Sequence, residues 1–202
     1  MCQMQVWKKR LFDLLFSIPG FLLLSPFFYL AALAIKLDSP GPVFFRQVRV
    51  GQKGQYFRLI KFRTMAVNAE KMGPQITVGR DPRITRLGRL LRKAKVDELP
   101  QLFNVLAGDM SLVGPRPEVP SYVGLYSQPQ KRVLELMPGI TDPASIKYRH
   151  ESEILAESPA PEKTYIEVIM PEKIEINLSY ALEATVFSDF KVVLKTLQRL
   201  IR

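Results

Sequence analysis

Residues 11–35 form an almost wholly apolar run, broken by Asp13 and by Ser17, Pro19, Gly20, Ser25 and Pro26. As a straight helix the run would rise roughly 37 Å at about 1.5 Å per residue, enough to span the hydrocarbon core of a bilayer. Lys8, Lys9 and Arg10 precede it, and Lys36, Arg46, Arg49, Lys53, Arg58, Lys61 and Arg63 follow it. Both flanks therefore carry the basic signal of a cytoplasmic loop, and a single crossing satisfies only one of them. Proline inside a helix removes a backbone donor and clashes with the preceding turn. Ser25-Pro26 thus offers a re-entrant helix-break-helix that dips into one leaflet and returns, with the freed carbonyls near Leu22 and Leu23 satisfied by the Ser25 hydroxyl. A kinked span, and a signal peptide with Ala32-Leu33-Ala34 near its cleavage site, are the competing readings.

The 202 residues suit one compact domain, and a formal charge of +10 calls for anionic partners. Nucleic acid, anionic lipid headgroups and phosphorylated substrates all qualify. The single cysteine, Cys2, excludes an intrachain disulfide framework, and with His150 as the one histidine no Cys/His zinc cluster can be assembled. A catalytic metal would need oxygen ligands, which points to Mg²⁺ or Mn²⁺ held by carboxylates and substrate phosphates.

After the turn-rich stretch Asp38-Ser39-Pro40-Gly41-Pro42, the β-rich runs 43–50 and 56–62 flank Gly51-Gln52-Lys53-Gly54 and predict a hairpin. Arg46, Arg49, Arg58, Lys61 and Arg63 crowd it with basic groups among Phe44, Phe45, Tyr56, Phe57 and Phe62, a pattern equally suited to single-stranded nucleic acid or a headgroup layer. Arginine then recurs at every third position, as Arg80, Arg83, Arg86, Arg89 and Arg92, beside Leu87, Leu90, Leu91 and Ala94. A helix starting near Asp81-Pro82 would present these guanidinium groups to a diphosphate, or to solvent or lipid. Asp97 is suited to cap a further helix that ends at Gly108, where the helix dipole would keep it ionised as a nucleophile or metal ligand. Acidic residues also cap helices for stability alone. Gly114-Pro115-Arg116-Pro117-Glu118 is a rigid turn that pre-orders Arg116 for an anion.

Together these segments resemble the monotopic phosphoglycosyl transferases, the bacterial sugar transferase family whose members are undecaprenyl-phosphate glycosyl-1-phosphate transferases. The likeness rests on Lys9-Arg10-Leu11-Phe12-Asp13, on Ser25-Pro26, and on Asp38 to Gln47. It continues through Lys61-Phe62-Arg63-Thr64-Met65, Asp97 to Gln101, Gly108 to Pro117, and Pro138-Gly139-Ile140-Thr141. It implies an α+β, monotopic membrane protein with a re-entrant helix broken at Ser25-Pro26 (residues 1–37). A catalytic domain on the cytoplasmic face (38–202) would follow, with a small hairpin and amphipathic interfacial helices. It also implies Asp97 as nucleophile and Glu98 as its partner, attack on the β-phosphate of a UDP-sugar with release of UMP, and transfer of the phospho-sugar to polyprenol phosphate. Asp97 and Glu98 would hold Mg²⁺, with Glu98 alternatively activating the acceptor. Lys61, Arg63, Arg86 and Arg116 are the candidates for diphosphate or nucleotide contact. Where many relatives continue Pro-Gly-Ile-Thr with Gly-Trp or a similar pair, this chain has Asp142-Pro143-Ala144-Ser145, so sugar-recognition residues are not carried over there. Lacking the extra predicted spans of larger relatives, it resembles the minimal catalytic form.

Residues 122–137 and the stretch from Ser188 both look amphipathic. In the second, Phe190, Val193, Leu194, Leu197 and Ile201 oppose Lys191, Lys195, Arg199 and Arg202, with Ser188 as the expected cap. This suits a helix on an anionic membrane surface or a core helix with a solvated face. Residues 159–176 read as short helices joined by turns. The expected setting is the bacterial inner membrane, with downstream glycosyltransferases as neighbours and no nucleic acid. The rival reading is a membrane-tethered nucleic-acid-binding protein, which would have no need of the Asp97-Glu98 pair.

Overall fold

A computed structural model describes residues 3–69, 72–73, 76–79 and 81–201, so Arg80 of the arginine series lies outside the described residues. The apolar run is part of one helix, α1 (Gln3–Asp38), which is long and apolar enough to cross a membrane. The expected break does not interrupt it. Pro26 has no N–H for the carbonyl of Leu22, and the Ser25 hydroxyl donates to that carbonyl instead, at 2.8 Å. Between Asp13 and Ile35 one stripe of α1 packs inward: Asp13, Ser17, Phe21, Phe28, Ala31 and Ile35. The opposite stripe, with Leu11, Leu15, Leu22, Tyr29 and Leu33, is exposed.

The hairpin is as expected: β1 (Phe44–Val50) pairs antiparallel with β2 (Tyr56–Phe62), Phe45 opposite Lys61 and Arg49 opposite Phe57. Alternation splits the basic residues that the sequence crowds together. Phe44 and Phe62 stack at 5.6 Å and pack toward α1, where Phe28 meets Phe62 at 5.7 Å. Arg46 and Arg58 share their face, exposed, while Lys61 and Arg49 lie on the other.

Asp81 does not start the next helix. Its carboxylate turns back onto the Arg83 backbone and guanidinium, so α2 (Arg86–Lys93) begins later, capped by Thr85 accepting from the Gly88 N–H at 2.9 Å. Gly88 is required there, because an added Cβ would lie 2.1 Å from the Thr64 carbonyl oxygen. Asp97 likewise caps no helix: it sits in a 3₁₀ turn, Val96–Glu98, entered through Lys95 at φ 56°, while α3 (Gln101–Ala107) starts behind Pro100 with no side-chain cap. Gly108, at φ 93°, ends α3 as expected. Asn104 of α3 fastens β2 edge-on, accepting from the Ile60 N–H and donating to the Arg58 carbonyl.

The two glycine-containing motifs meet as a parallel pair, β3 (Ser111–Val113) with β4 (Gly139–Thr141). Gly114 and Gly139 touch so closely that a Cβ on Gly139 would lie 2.1 Å from the Gly114 nitrogen. Residues 122–137 are not one helix. They divide into α4 (Pro120–Val123) and a 3₁₀ segment, Gln130–Glu135, with Pro129 opening the second. Asp142 caps α5 (Pro143–Lys147) through the Ser145 N–H. Then α6 (Glu151–Ala156) and α7 (Pro161–Thr164) lead into a π-helical stretch, Tyr165–Ile169, that runs without a turn into α8 (Met170–Glu183). In α9 (Val186–Ile201) the cap is Thr185. Ser188 reciprocates, each side chain bonding the other's backbone N–H. Helix α9 crosses α1, with Phe190 5.9 Å from Phe16 and Asp189 accepting from Lys9 at 2.6 Å, and it leaves Phe187, Leu194 and Leu197 exposed.

Candidate active site

Three elements converge on the Asp97-Glu98 turn: β2, α2 and the Pro115–Pro117 stretch after β3. Lys61, on the face of β2 away from Phe62, donates to Glu98 Oε1 at 2.9 Å. Arg116, held between its two prolines, grips the same carboxylate with a forked contact, Nη1 to Oε2 at 2.9 Å and Nη2 to Oε1. Burial alone would raise the Glu98 carboxyl, but Arg116 and Lys61 outweigh it and hold it well below its ordinary value. Lys61 is pushed down to about 8 by burial, against the attraction of Glu98.

Asp97 is in a different condition. It is 7% exposed, and among the described residues no group donates a hydrogen bond to its carboxylate. Burial first, and the Glu98 charge second, raise its pKa, while Lys61, Arg92 and Arg116 pull the other way. Two adjacent carboxylates therefore divide: one locked as an anion between cations, one unbonded and more basic. A more basic, unbonded carboxylate is the stronger nucleophile of the two.

Arg63, a further candidate for donor contact, is held at the exit of α1. Its buried guanidinium donates to the carbonyls of Pro40 at 2.5 Å and Ser39 at 2.7 Å and to the Ser39 hydroxyl, tying the exit of α1 to β2. Arg86 is exposed on the first turn of α2. The arginine of this helix that acts on Asp97 is Arg92, steadied by the Thr64 and Thr77 hydroxyls at 2.8 and 3.2 Å. Arg49 is a further member that sequence reasoning left out of the site. It donates to the Pro117 carbonyl and to Glu118, fixing the segment that carries Arg116. Its signal was its register, two pairs along the same face from Lys61.

Among the described residues no group of three or more His, Cys, Asp or Glu side chains is arranged for a metal. Both Glu98 oxygens already face cations, which leaves Asp97 as the open oxygen donor. That fits Mg²⁺, which is commonly held by one or two carboxylates with substrate phosphates and water completing its shell.

The Bacterial sugar transferase family matches residues 4–202. The chain belongs to this family. A bacterial sugar transferase from Caulobacter vibrioides named UDP-glucose:undecaprenyl-phosphate glucose-1-phosphate transferase is 38% identical over 199 residues, 96% of this chain and 70% of the relative. One of the same name from Escherichia coli is 39% identical over 193 residues, 93% of this chain and 39% of the relative. The UDP-N-acetylgalactosamine-undecaprenyl-phosphate N-acetylgalactosaminephosphotransferase of Aeromonas hydrophila is 48% identical over 120 residues, 59% of this chain and 28% of the relative. The chain thus spans less than half the length of two of these three relatives. Membership decides between the two readings of the basic residues in favour of a sugar transferase over a nucleic-acid binder.

Proposed function

We propose that this chain transfers a sugar-1-phosphate from a UDP-sugar to polyprenol (undecaprenyl) phosphate, yielding UMP and a polyprenyl-diphosphate-sugar, at the first membrane step of glycoconjugate or polysaccharide assembly. The observation that carries this reading is the division of the dyad, an unbonded Asp97 beside a Glu98 neutralised by Lys61 and Arg116. An Asp97 oxygen attacks the β-phosphorus, the bond from that phosphorus to the bridging oxygen breaks, and UMP leaves with the electron pair. The aspartyl phospho-sugar is then attacked by a phosphate oxygen of the polyprenol, which restores the Asp97 carboxylate. Splitting one displacement into two lowers each barrier, and positioned charge supplies most of the remaining stabilisation. Arg116, Lys61 and Arg92 orient the diphosphate and offset its charge; exposed Arg86 meets the donor's outer phosphate, and Arg63 keeps Lys61 in place by fixing the end of β2. Mg²⁺, held by Asp97 with Glu98 behind it, would neutralise charge on the departing UMP.

The proposed disposition is monotopic and re-entrant, bent at Ser25-Pro26, on the cytoplasmic face of the bacterial inner membrane. Support comes from both ends of α1 holding the same domain. Arg10 donates to the Val105 and Leu106 carbonyls, and Arg63 binds the stretch just after Ile35. A crossing would put those ends on opposite sides. The exposed apolar stripes of α1 and α9 would meet acyl chains, and the basic side chains of α9 would meet anionic headgroups. Labels placed before Leu11 and after Ile35 should react from one side of sealed vesicles; reaction from opposite sides overturns the topology.

The function is tested by UMP release from solubilised protein given Mg²⁺, undecaprenyl phosphate and a panel of UDP-sugars. Release by wild type and none by Asp97→Asn is expected. Equal release by the variant removes Asp97 as nucleophile, and silence of folded wild type across the panel removes the reaction.

A further inference from the structure

A cleft lined by Arg116 opens between the Pro115–Glu118 stretch, the Gln130–Glu135 segment and α8. Its walls are mostly apolar and aromatic, among them Tyr126, Val133, Leu136, Tyr165 and Ile174. Most of its polar groups are already matched. Glu118 accepts from Arg49 and Tyr165, and Lys173 donates to Glu151 at 2.7 Å. Asn177 is the exception. This α8 side chain is 6% exposed, lines the cleft, and makes no hydrogen bond among the described residues. Its amide atoms bond nothing among the described residues and open onto the cleft, so they are free to pair with a ligand there.

Because Arg116 lines this cleft and also binds Glu98, whatever fills it is joined to the diphosphate at the dyad. Three parts of the two substrates are candidates. The polyprenyl chain is excluded by position, since no lining residue belongs to α1 or α9, the helices with outward apolar stripes. A hexose carries a hydroxyl on most of its carbons, and one free carboxamide cannot pair them once water is removed. A pyrimidine base has two apolar faces and one short polar edge, which matches aromatic and aliphatic walls with a single amide. The uracil edge presents N3–H flanked by carbonyls. A carboxamide is its complement, Oδ1 accepting from N3–H and Nδ2 donating to a neighbouring carbonyl.

We infer that this cleft is the nucleobase subsite of the donor and that Asn177 reads the uracil edge, an inference resting on the proposed use of a UDP-sugar. Calorimetric titration of the solubilised full chain with UMP, CMP and ribose 5-phosphate tests it. Wild type should bind UMP about tenfold more tightly than CMP, and more tightly than ribose 5-phosphate. Asn177→Asp, which loses the donor, should weaken UMP by about tenfold without weakening CMP, whose exocyclic amine can donate to the new carboxylate. Asn177→Ser guards against a folding defect in the first variant. Unchanged UMP affinity in either folded variant overturns the inference, as does equal wild-type affinity for UMP and ribose 5-phosphate. Wild type that releases UMP from a UDP-sugar but ignores Asn177 sinks this subsite alone. Wild type that neither turns over nor binds UMP sinks the proposed reaction with it.

Discussion

Arg116 meets Glu98 fork to fork, with each guanidinium nitrogen on its own carboxylate oxygen and Lys61 sharing one of them. The contact joins a proline-fixed loop to a 3₁₀ turn 18 residues earlier. It therefore sets the shape of the site as well as its charge.

Planar, two-point recognition is a property of arginine that lysine lacks. Arg116→Lys should fold and lose about 100-fold in kcat/KM, the scale of a misplaced positioning group. Arg116→Ala should destabilise by about 2–3 kcal/mol in denaturant titrations, at or below the usual figure for breaking a buried pair because Arg116 is one-third exposed. In a Glu98→Gln background the same change should be much milder, since the stranded charge is gone. Strict additivity of the two substitutions would mean that the fork contributes no coupling.

On the proposed mechanism, Asp97 sets stability against chemistry. Its pKa is raised in the folded state, chiefly by burial, so the protonated form is favoured and the ionised form is unfavourable near neutral pH. Asp97→Asn should abolish turnover and yet melt higher than wild type at pH 7. The advantage should shrink as pH falls through the folded pKa of Asp97, where wild type becomes neutral as well. A variant that melts lower at pH 7 would show that the ionised carboxylate is stabilised by contacts beyond those described.

Lys61 provides an alkaline marker. Its folded value of about 8 lies below the ordinary 10.5, so its charge weakens the fold below pH 8, and that penalty disappears as pH rises toward 10.5. Activity should move in the opposite direction, because a neutral Lys61 no longer offsets Glu98 and the donor phosphates. The kcat/KM profile should fall above about pH 8, and Lys61→Arg should carry that limb upward. A limb that stays in place in Lys61→Arg would assign it to another group.

Much of this was legible in the sequence because it rests on local chemistry. The apolar length of α1, the alternation in β1 and β2 and the glycine that ends α3 are each decided by neighbours in the chain. Motifs singled out Asp97, Glu98, Lys61 and Arg116, and the structure brings these side chains together. What escaped was set by distant partners. Arg63 and Arg92 look alike as basic residues near the site, and only packing sends one to the α1 exit and the other to Thr64 and Asp97. Asp81 and Asp97 had the composition of helix caps, but Asp81 found Arg83 and Asp97 was drawn into a turn entered through the left-handed Lys95. The unpaired amide of Asn177 leaves no trace in the sequence, since it is defined by what α8 faces.

The glycines of α1 and α2 separate two roles of the same residue. At Gly88 an added Cβ would lie 2.1 Å from the Thr64 carbonyl oxygen and 2.8 Å from its Cα, backbone atoms that no rotamer can move aside. The Thr64 carbonyl also accepts from the Thr85 N–H at 3.0 Å, and its hydroxyl steadies Arg92. Gly88→Ala must therefore lift α2 from the Thr64 backbone and carry Arg92 away from Asp97. A loss of about 3 kcal/mol and a fall in activity beyond the loss of folded protein are expected. Gly20, on α1, has nothing within 4 Å of a Cβ. Gly20→Ala should instead raise stability by about 0.5–1 kcal/mol through reduced freedom of the unfolded helix. Thermal unfolding of both variants in one detergent checks the pair, and a Gly88→Ala protein that melts with wild type would remove the close approach of α2 to Thr64 as a constraint on the site.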